Sequence, residues 1–148
     1  MRWAGLQALL LLALLAGSGP SARAFEMAEI EHGIVRVVAF VSPEAGSIGT
    51  GFVVDGQHVL TNRHVIENSQ RVVVLSPFLD EPRPVEIVDT HRDFDIALLR
   101  VSGPAIQSLA LSTRIPDPGE TVFAVGFPGA DDVMGVQSDD QPTVTRGG

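Results

Sequence analysis

Short apolar runs alternate along the chain with polar, glycine- or proline-bearing breaks, and no long stretch repeats every three to four residues as an amphipathic helix would. Gly33 to Val41 is β-branched and mostly apolar, and reads as a strand. Ser42-Pro43-Glu44-Ala45-Gly46 is turn chemistry. Ile48 to Val54 is the next strand, interrupted by Gly49 and Gly51. Glycine inside a strand weakens it and marks a bend or a close backbone approach. Asp55-Gly56 between two apolar runs predicts a hairpin, with Gln57 to Thr61 as the returning strand. Asn62 to Glu67 is one helical turn at most.

The same pattern continues downstream. Val72 to Leu75 reads as a strand closed by Pro77, and Asp80 to Pro84 as a proline-stiffened loop. Val85 to Asp89 alternates apolar and polar, as a half-buried strand should. Phe94 to Val101 is more continuously apolar and suits a core strand. Thr121 to Phe127 is a further strand, and one more begins at Thr143. Ala28 to His32 has too little periodicity to assign, while Ser102 to Gly119 and Pro128 to Asp140 read as connections. Close-spaced short strands with turn signals between them predict an all-β barrel or sandwich.

The first 24 residues read as an address. Arg2 is followed by a Leu-rich apolar run from Leu6 to Ala16, a break at Gly17-Ser18-Gly19-Pro20, and the small-x-small sequence Ala22-Arg23-Ala24. That order is the signature of a secretory signal peptide, with the mature chain starting at Phe25. The apolar run is short of the roughly 20 residues of a membrane span. Residues 25–148 are then expected to form a single domain, periplasmic or secreted, with no membrane association after signal cleavage.

Charge and composition narrow the function classes. Removing residues 1–24 takes away Arg2 and Arg23 and no acid, leaving 8 basic residues against 18 acidic ones. Nucleic acid is therefore excluded as a partner, since affinity for phosphates comes largely from Lys and Arg. With no cysteine, the chain has no disulfide, thiolate metal site or cysteine nucleophile. Its histidines form no HExxH pattern, and neither a metal nor another cofactor is expected. Every basic residue is Arg, which with frequent Ala, Gly, Pro and Val suits a GC-rich bacterial genome. Nothing in the pattern fixes an oligomeric state.

The candidate chemistry lies at two strand ends. Thr61-Asn62-Arg63-His64-Val65 places a histidine after the hairpin, and Asp93-Phe94-Asp95-Ile96-Ala97-Leu98-Leu99 places an acid before an apolar strand. A hydroxyl nucleophile must lose a proton as it attacks a carbonyl, and histidine suits that task because its pKa lies near neutral pH. A carboxylate on the other ring nitrogen fixes the tautomer and stabilises the imidazolium. The chemistry needs the two groups close in space and sets no rule on their spacing in sequence.

Four ordered pieces carry a family resemblance: Gly49-Thr50-Gly51-Phe52-Val53-Val54 leading through Leu60 to Thr61-Asn62-Arg63-His64-Val65-Ile66; Asp95 directly before Ile96-Ala97-Leu98-Leu99; Gly126-Phe127-Pro128-Gly129; and Pro142-Thr143-Val144-Thr145-Arg146-Gly147-Gly148. Together they resemble the N-terminal portion of a trypsin-like serine peptidase of the HtrA-type bacterial branch. The resemblance runs from about Gly33 to Gly148. It implies a Greek-key β-barrel, the first of a double β-barrel, acting on peptide or unfolded protein substrates. It implies His64 as general base and Asp95 as the acid that orients it, with Asp93 on an exposed approach loop. His32, His58 and His91 lack this context and are expected at the surface.

The sequence departs from the family pattern at the nucleophile. No Gly-x-Ser-Gly-Gly occurs, and none of Ser42, Ser47, Ser69, Ser76, Ser102, Ser108, Ser112 and Ser138 has the flanking glycines that would build an oxyanion hole. The family's serine lies in the second barrel. The sequence is therefore expected to be part of a longer peptidase, truncated before its serine and inactive alone. The alternative expectation is a complete, secreted half-barrel or pseudopeptidase that binds peptide or protein without cutting it.

Overall fold

The computed structural model describes residues 28–127 and 141–147. The expected signal peptide, the Pro128–Asp140 connection and the Pro128-Gly129 half of the third motif lie outside the described residues. Six strands, β1 (Ile34–Phe40), β2 (Gly46–Val53), β3 (His58–Asn62), β4 (Arg71–Leu75), β5 (Arg83–His91) and β6 (Ile96–Val101), close into an antiparallel barrel in the order β1-β2-β3-β6-β5-β4. That crossed order is the expected Greek key. Two further strands, β7 (Val122–Gly126) and β8 (Thr143–Gly147), pair with each other in a separate sheet. Residues 28–31, left unassigned from their pattern, are helical.

Alternation builds the interior. Val35, Val37 and Ala39 of β1 point inward with Val53, Val59, Val72, Val74, Ala97, Leu99 and Val101, all buried in one cluster. Branched side chains are stiff and pack well on a pleated surface, which suits a small barrel filled mostly by valine. β1 is covered on its outer face as well, where Val38, Ile48 and Leu75 form a second cluster with Phe40 and Val73 packed against it. The two turns behave as their residues dictate. Ser42 Oγ accepts from the Ala45 N–H at 3.1 Å. Asp55 Oδ1 accepts from the Gln57 and His58 N–H groups at 3.1 and 2.8 Å, while Gly56 takes the left-handed φ of 88°.

The strand glycines serve close approach. A Cβ on Gly51 would lie 2.5 Å from Val59 Cγ1 and 3.0 Å from Val37 Cγ2. A Cβ on Gly49 would lie 2.5 Å from Val65 Cγ2, so this glycine admits the residue that follows His64. The short helix Arg63–Ile66 is thereby seated with Val65 and Ile66 in the main core.

Two elements differ from expectation. β5 runs on to His91, and its second half is exposed where alternation suggested half-burial, with Ile87 44% and Val88 41% accessible. Within β5 only Arg83 and Pro84 pair with β4, so the rest of the strand has β6 alone as a neighbour, and a bulge between Ile87 and Asp89 shifts its register. Phe94 lies in a turn ahead of β6 and is 72% exposed, because the core strand starts only at Ile96.

The glycine contacts set an expected stability effect. Gly51→Ala should overpack the barrel and lower unfolding free energy by about 1–3 kcal/mol. Urea unfolding followed by circular dichroism measures this, and an unchanged midpoint would contradict the close approach.

Candidate active site

The antiparallel pairing of β3 with β6 sets Asn62 opposite Ile96. The end of one strand therefore meets the beginning of the other, and the residues just beyond, His64 and Asp95, come together although they are 31 positions apart. His64 Nδ1 lies 2.6 Å from Asp95 Oδ2, and the His64 backbone N–H donates to Asp95 Oδ1 at 2.9 Å. Both carboxylate oxygens are thus held by one residue, through its ring and its main chain. The Arg63 N–H donates to the Asp95 carbonyl at 3.0 Å. Asn62 Nδ2 donates to the same carbonyl at 3.3 Å and reaches Oδ2 at 3.4 Å.

Asp95 has a left-handed backbone, φ 52°, and Asp is among the few side chains that tolerate this region. The turn aims the carboxylate back across the strand end instead of along β6. Asp93, the rival two positions earlier, is exposed and takes no part in these contacts to His64. The His64 side chain is 64% accessible and Asp95 40%, so the pair sits at an open barrel mouth.

The ring hydrogen bond from His64 is the chief cause that lowers the Asp95 pKa, followed by the His64 backbone N–H; the charges of His64 and Arg63 act in the same direction. Burial opposes them. An ionised Asp95 accepts, so the proton belongs on Nδ1 and Nε2 is left as the basic nitrogen. That is the tautomer in which an imidazole can remove a proton from a hydroxyl.

The other histidines behave differently. His58 also meets a carboxylate, Asp55 Oδ2 at 2.7 Å, but that contact closes the hairpin turn three residues away. His32 stacks on Phe78 at 3.8 Å and His91 lies 4.7 Å from Phe94. Among the described residues no group of three or more His, Asp or Glu side chains is placed to hold a metal ion. Ser42, Ser69, Ser76 and Ser112 direct their hydroxyls to backbone groups two or three residues away. Asn62 and the Arg63 amide were not singled out from the sequence. Both lie inside the His64 motif, but only the β3–β6 register turns them toward Asp95.

The Asp95 contacts generate a titration prediction. Its folded pKa lies below the ordinary 3.8, so the stabilisation from this pair is complete above that value and is lost as pH falls through the folded pKa. Carbon-detected NMR of the Asp95 carboxyl should give a midpoint below 3.8, moving back toward it in His64→Ala. A wild-type midpoint at or above 3.8 would rule out the pairing in solution.

Comparison with known proteins gives this geometry a context. A family model described as "Trypsin-like peptidase domain" matches residues 49–147. A relative from Pseudomonas putida described as "Probable periplasmic serine endoprotease DegP-like" is 33% identical over 87 residues, covering 57% of this chain and 18% of its own length. A serine protease of Mycobacterium tuberculosis is 29% identical over 105 residues, covering 70% of this chain and 26% of that protein. The chain thus spans only about a fifth to a quarter of these curated relatives. The crystal structure of the serine endoprotease from Yersinia pestis superposes with a TM-score of 0.68 at 21% identity, over 86% of this chain and 44% of that one. The active form of the M. tuberculosis protease gives a TM-score of 0.66 at 24% identity, over 81% and 48%. With its closed antiparallel barrel and a family match that runs from residue 49 to residue 147, the chain belongs to the trypsin-like peptidase family.

Proposed function

We propose that this chain is the signal peptide (residues 1–24) and the N-terminal barrel (residues 25–148) of an exported serine endopeptidase. In this reading His64 is the general base and then the general acid, and Asp95 orients it. The observation that carries the reading is the 2.6 Å contact between His64 Nδ1 and Asp95 Oδ2 at an open barrel mouth. His64 Nε2 takes the proton of a serine hydroxyl as that oxygen attacks the scissile carbonyl. The same nitrogen then gives the proton to the leaving amine. Asp95 stays ionised throughout and stabilises the imidazolium. The serine and the oxyanion hole are supplied by sequence outside these 148 residues.

Peptide bonds of exported or unfolded proteins are the substrate class. Support comes from the names of the relatives, which include periplasmic serine endoproteases, and from the order of charge, apolar run and small residues at the N-terminus. No cofactor enters the reaction. The lack of a Gly-x-Ser-Gly-Gly stretch favours a second reading, a secreted peptide-binding module without chemistry.

Reading the gene past the codon for Gly148 separates the two. An open frame continuing into Gly-x-Ser-Gly-Gly is expected, and a stop codon there would favour the binding module. The protein expressed from the longer frame should cleave casein. His64→Ala should lower kcat by about 10⁶, and Asp95→Asn by on the order of 10⁴. Casein cleavage that survives His64→Ala would sink the assigned base. N-terminal sequencing of the exported protein should begin at Phe25; a start at Met1 would remove the signal-peptide assignment.

A further inference from the structure

Among the described residues the sheet β7–β8 shares no strand pairing with the barrel, yet Phe127, directly after β7, is gripped by it. Thr50 Oγ1, on β2, accepts from the Phe127 N–H at 2.8 Å and lies 3.3 Å from the Phe127 carbonyl oxygen, to which it donates. Arg36 faces Thr50 across the β1–β2 pairing, and its guanidinium lies 4.5 Å from the centre of the Phe127 ring. Cross-strand neighbours therefore hold Phe127 by its backbone and by its ring, and Phe127 is only 6% exposed. The residue before it has to be small. A Cβ on Gly126 would lie 2.7 Å from Thr50 Oγ1 and 3.1 Å from its Cγ2.

Thr50 is also tied to the strand that carries the histidine. Thr61 Oγ1 donates to the Thr50 carbonyl at 2.8 Å, and Thr61 is buried three residues before His64. One threonine thus touches β3 through its carbonyl and the end of β7 through its hydroxyl.

From this geometry we infer that Thr50 is a positioning residue: it fixes Gly126-Phe127, and with it the β7–β8 sheet, relative to His64. The inference rests on the proposed peptidase reading. In that reading the chain leaving β8 leads toward the nucleophile, so the Thr50–Phe127 contact sets where that part of the enzyme begins. Thr50 touches no reacting atom. Its effect is on alignment, which enters catalysis steeply because small misplacements of reacting groups are costly.

Two substitutions separate the hydroxyl from the volume it fills. Thr50→Val keeps the shape and removes Oγ1, and Thr50→Ser keeps Oγ1. In the wild-type chain the Phe127 amide should exchange with deuterium slowly, and in Thr50→Val on the order of tenfold faster, matching loss of one hydrogen bond. Thr50→Ser should restore slow exchange, whereas a purely volumetric role would make Thr50→Val the milder change. Unchanged Phe127 exchange in Thr50→Val would overturn the inference and leave the proposed function standing. In the protein carrying the serine, Thr50→Val should lower kcat about tenfold at unchanged KM and unchanged pH profile. A full-rate Thr50→Val enzyme would likewise overturn the positioning role. If the wild-type longer protein fails to cleave casein while the exchange results hold, the peptidase reading has failed and the anchoring of β7 has not.

Discussion

The antiparallel pairing of β3 with β6 is the constraint on which the rest depends. Its register, with Asn62 opposite Ile96, decides which residues face each other at the barrel mouth. Shifting a strand by one residue would move every side chain to the other face and take His64 away from Asp95. That register is held by burial. Val59 and Thr61 of β3 and Ala97, Leu99 and Val101 of β6 face inward, and a slip would place them in water and bring polar neighbours into the core. The hydrophobic core and the candidate catalytic pair are thus two consequences of one alignment.

Small residues make the alignment possible. Gly49 and Gly51 leave room on β2 for Val65, Val59 and Val37. With Val65 inside the barrel, the helix that bears His64 cannot rotate freely, and the ring is presented on the outside of a fixed backbone. Asp95 is fixed from the other side. Its left-handed φ costs about 1–3 kcal/mol for a non-glycine residue. The strain is held in place by the Arg63 N–H and Asn62 on its carbonyl, and by the His64 ring and N–H on its carboxylate. Asn68 shares the left-handed conformation, at φ 60°, but Asp95 is the one whose carboxylate these contacts aim at His64.

Electrostatics at this mouth is local and open to water. The lowered Asp95 pKa comes from hydrogen bonds to its immediate neighbour, not from burial, which acts against it. A carboxylate kept charged in this way supports a histidine at neutral pH without a deep pocket. The acidic surface elsewhere is spread along loops and edges. Ion pairs such as Arg63–Glu67 and Arg100–Glu86 are partly exposed and contribute little to stability.

Much of this was legible in the residues. The β-branched, mostly apolar run from Gly33 to Val41, the Asp55-Gly56 hairpin, and the apolar run after Asp95 prescribe short strands and their turns, because pleat and turn chemistry are local. His64 and Asp95 were legible as candidates because each sits at a strand end inside a family-like motif. Other features were not, since they depend on which strands become neighbours. The exposed second half of β5 follows from β4 ending too early to cover it. The separation of β7–β8 from the barrel and the hold of Thr50 and Arg36 on Phe127 join residues 77 or more positions apart. The 2.6 Å approach of His64 to Asp95 belongs to the same class. By itself the sequence determined the strands, the glycines and the chemistry on offer. Tertiary structure decided which strand ends meet, because distance between side chains is set by register and closure, and neither is a property of any one segment.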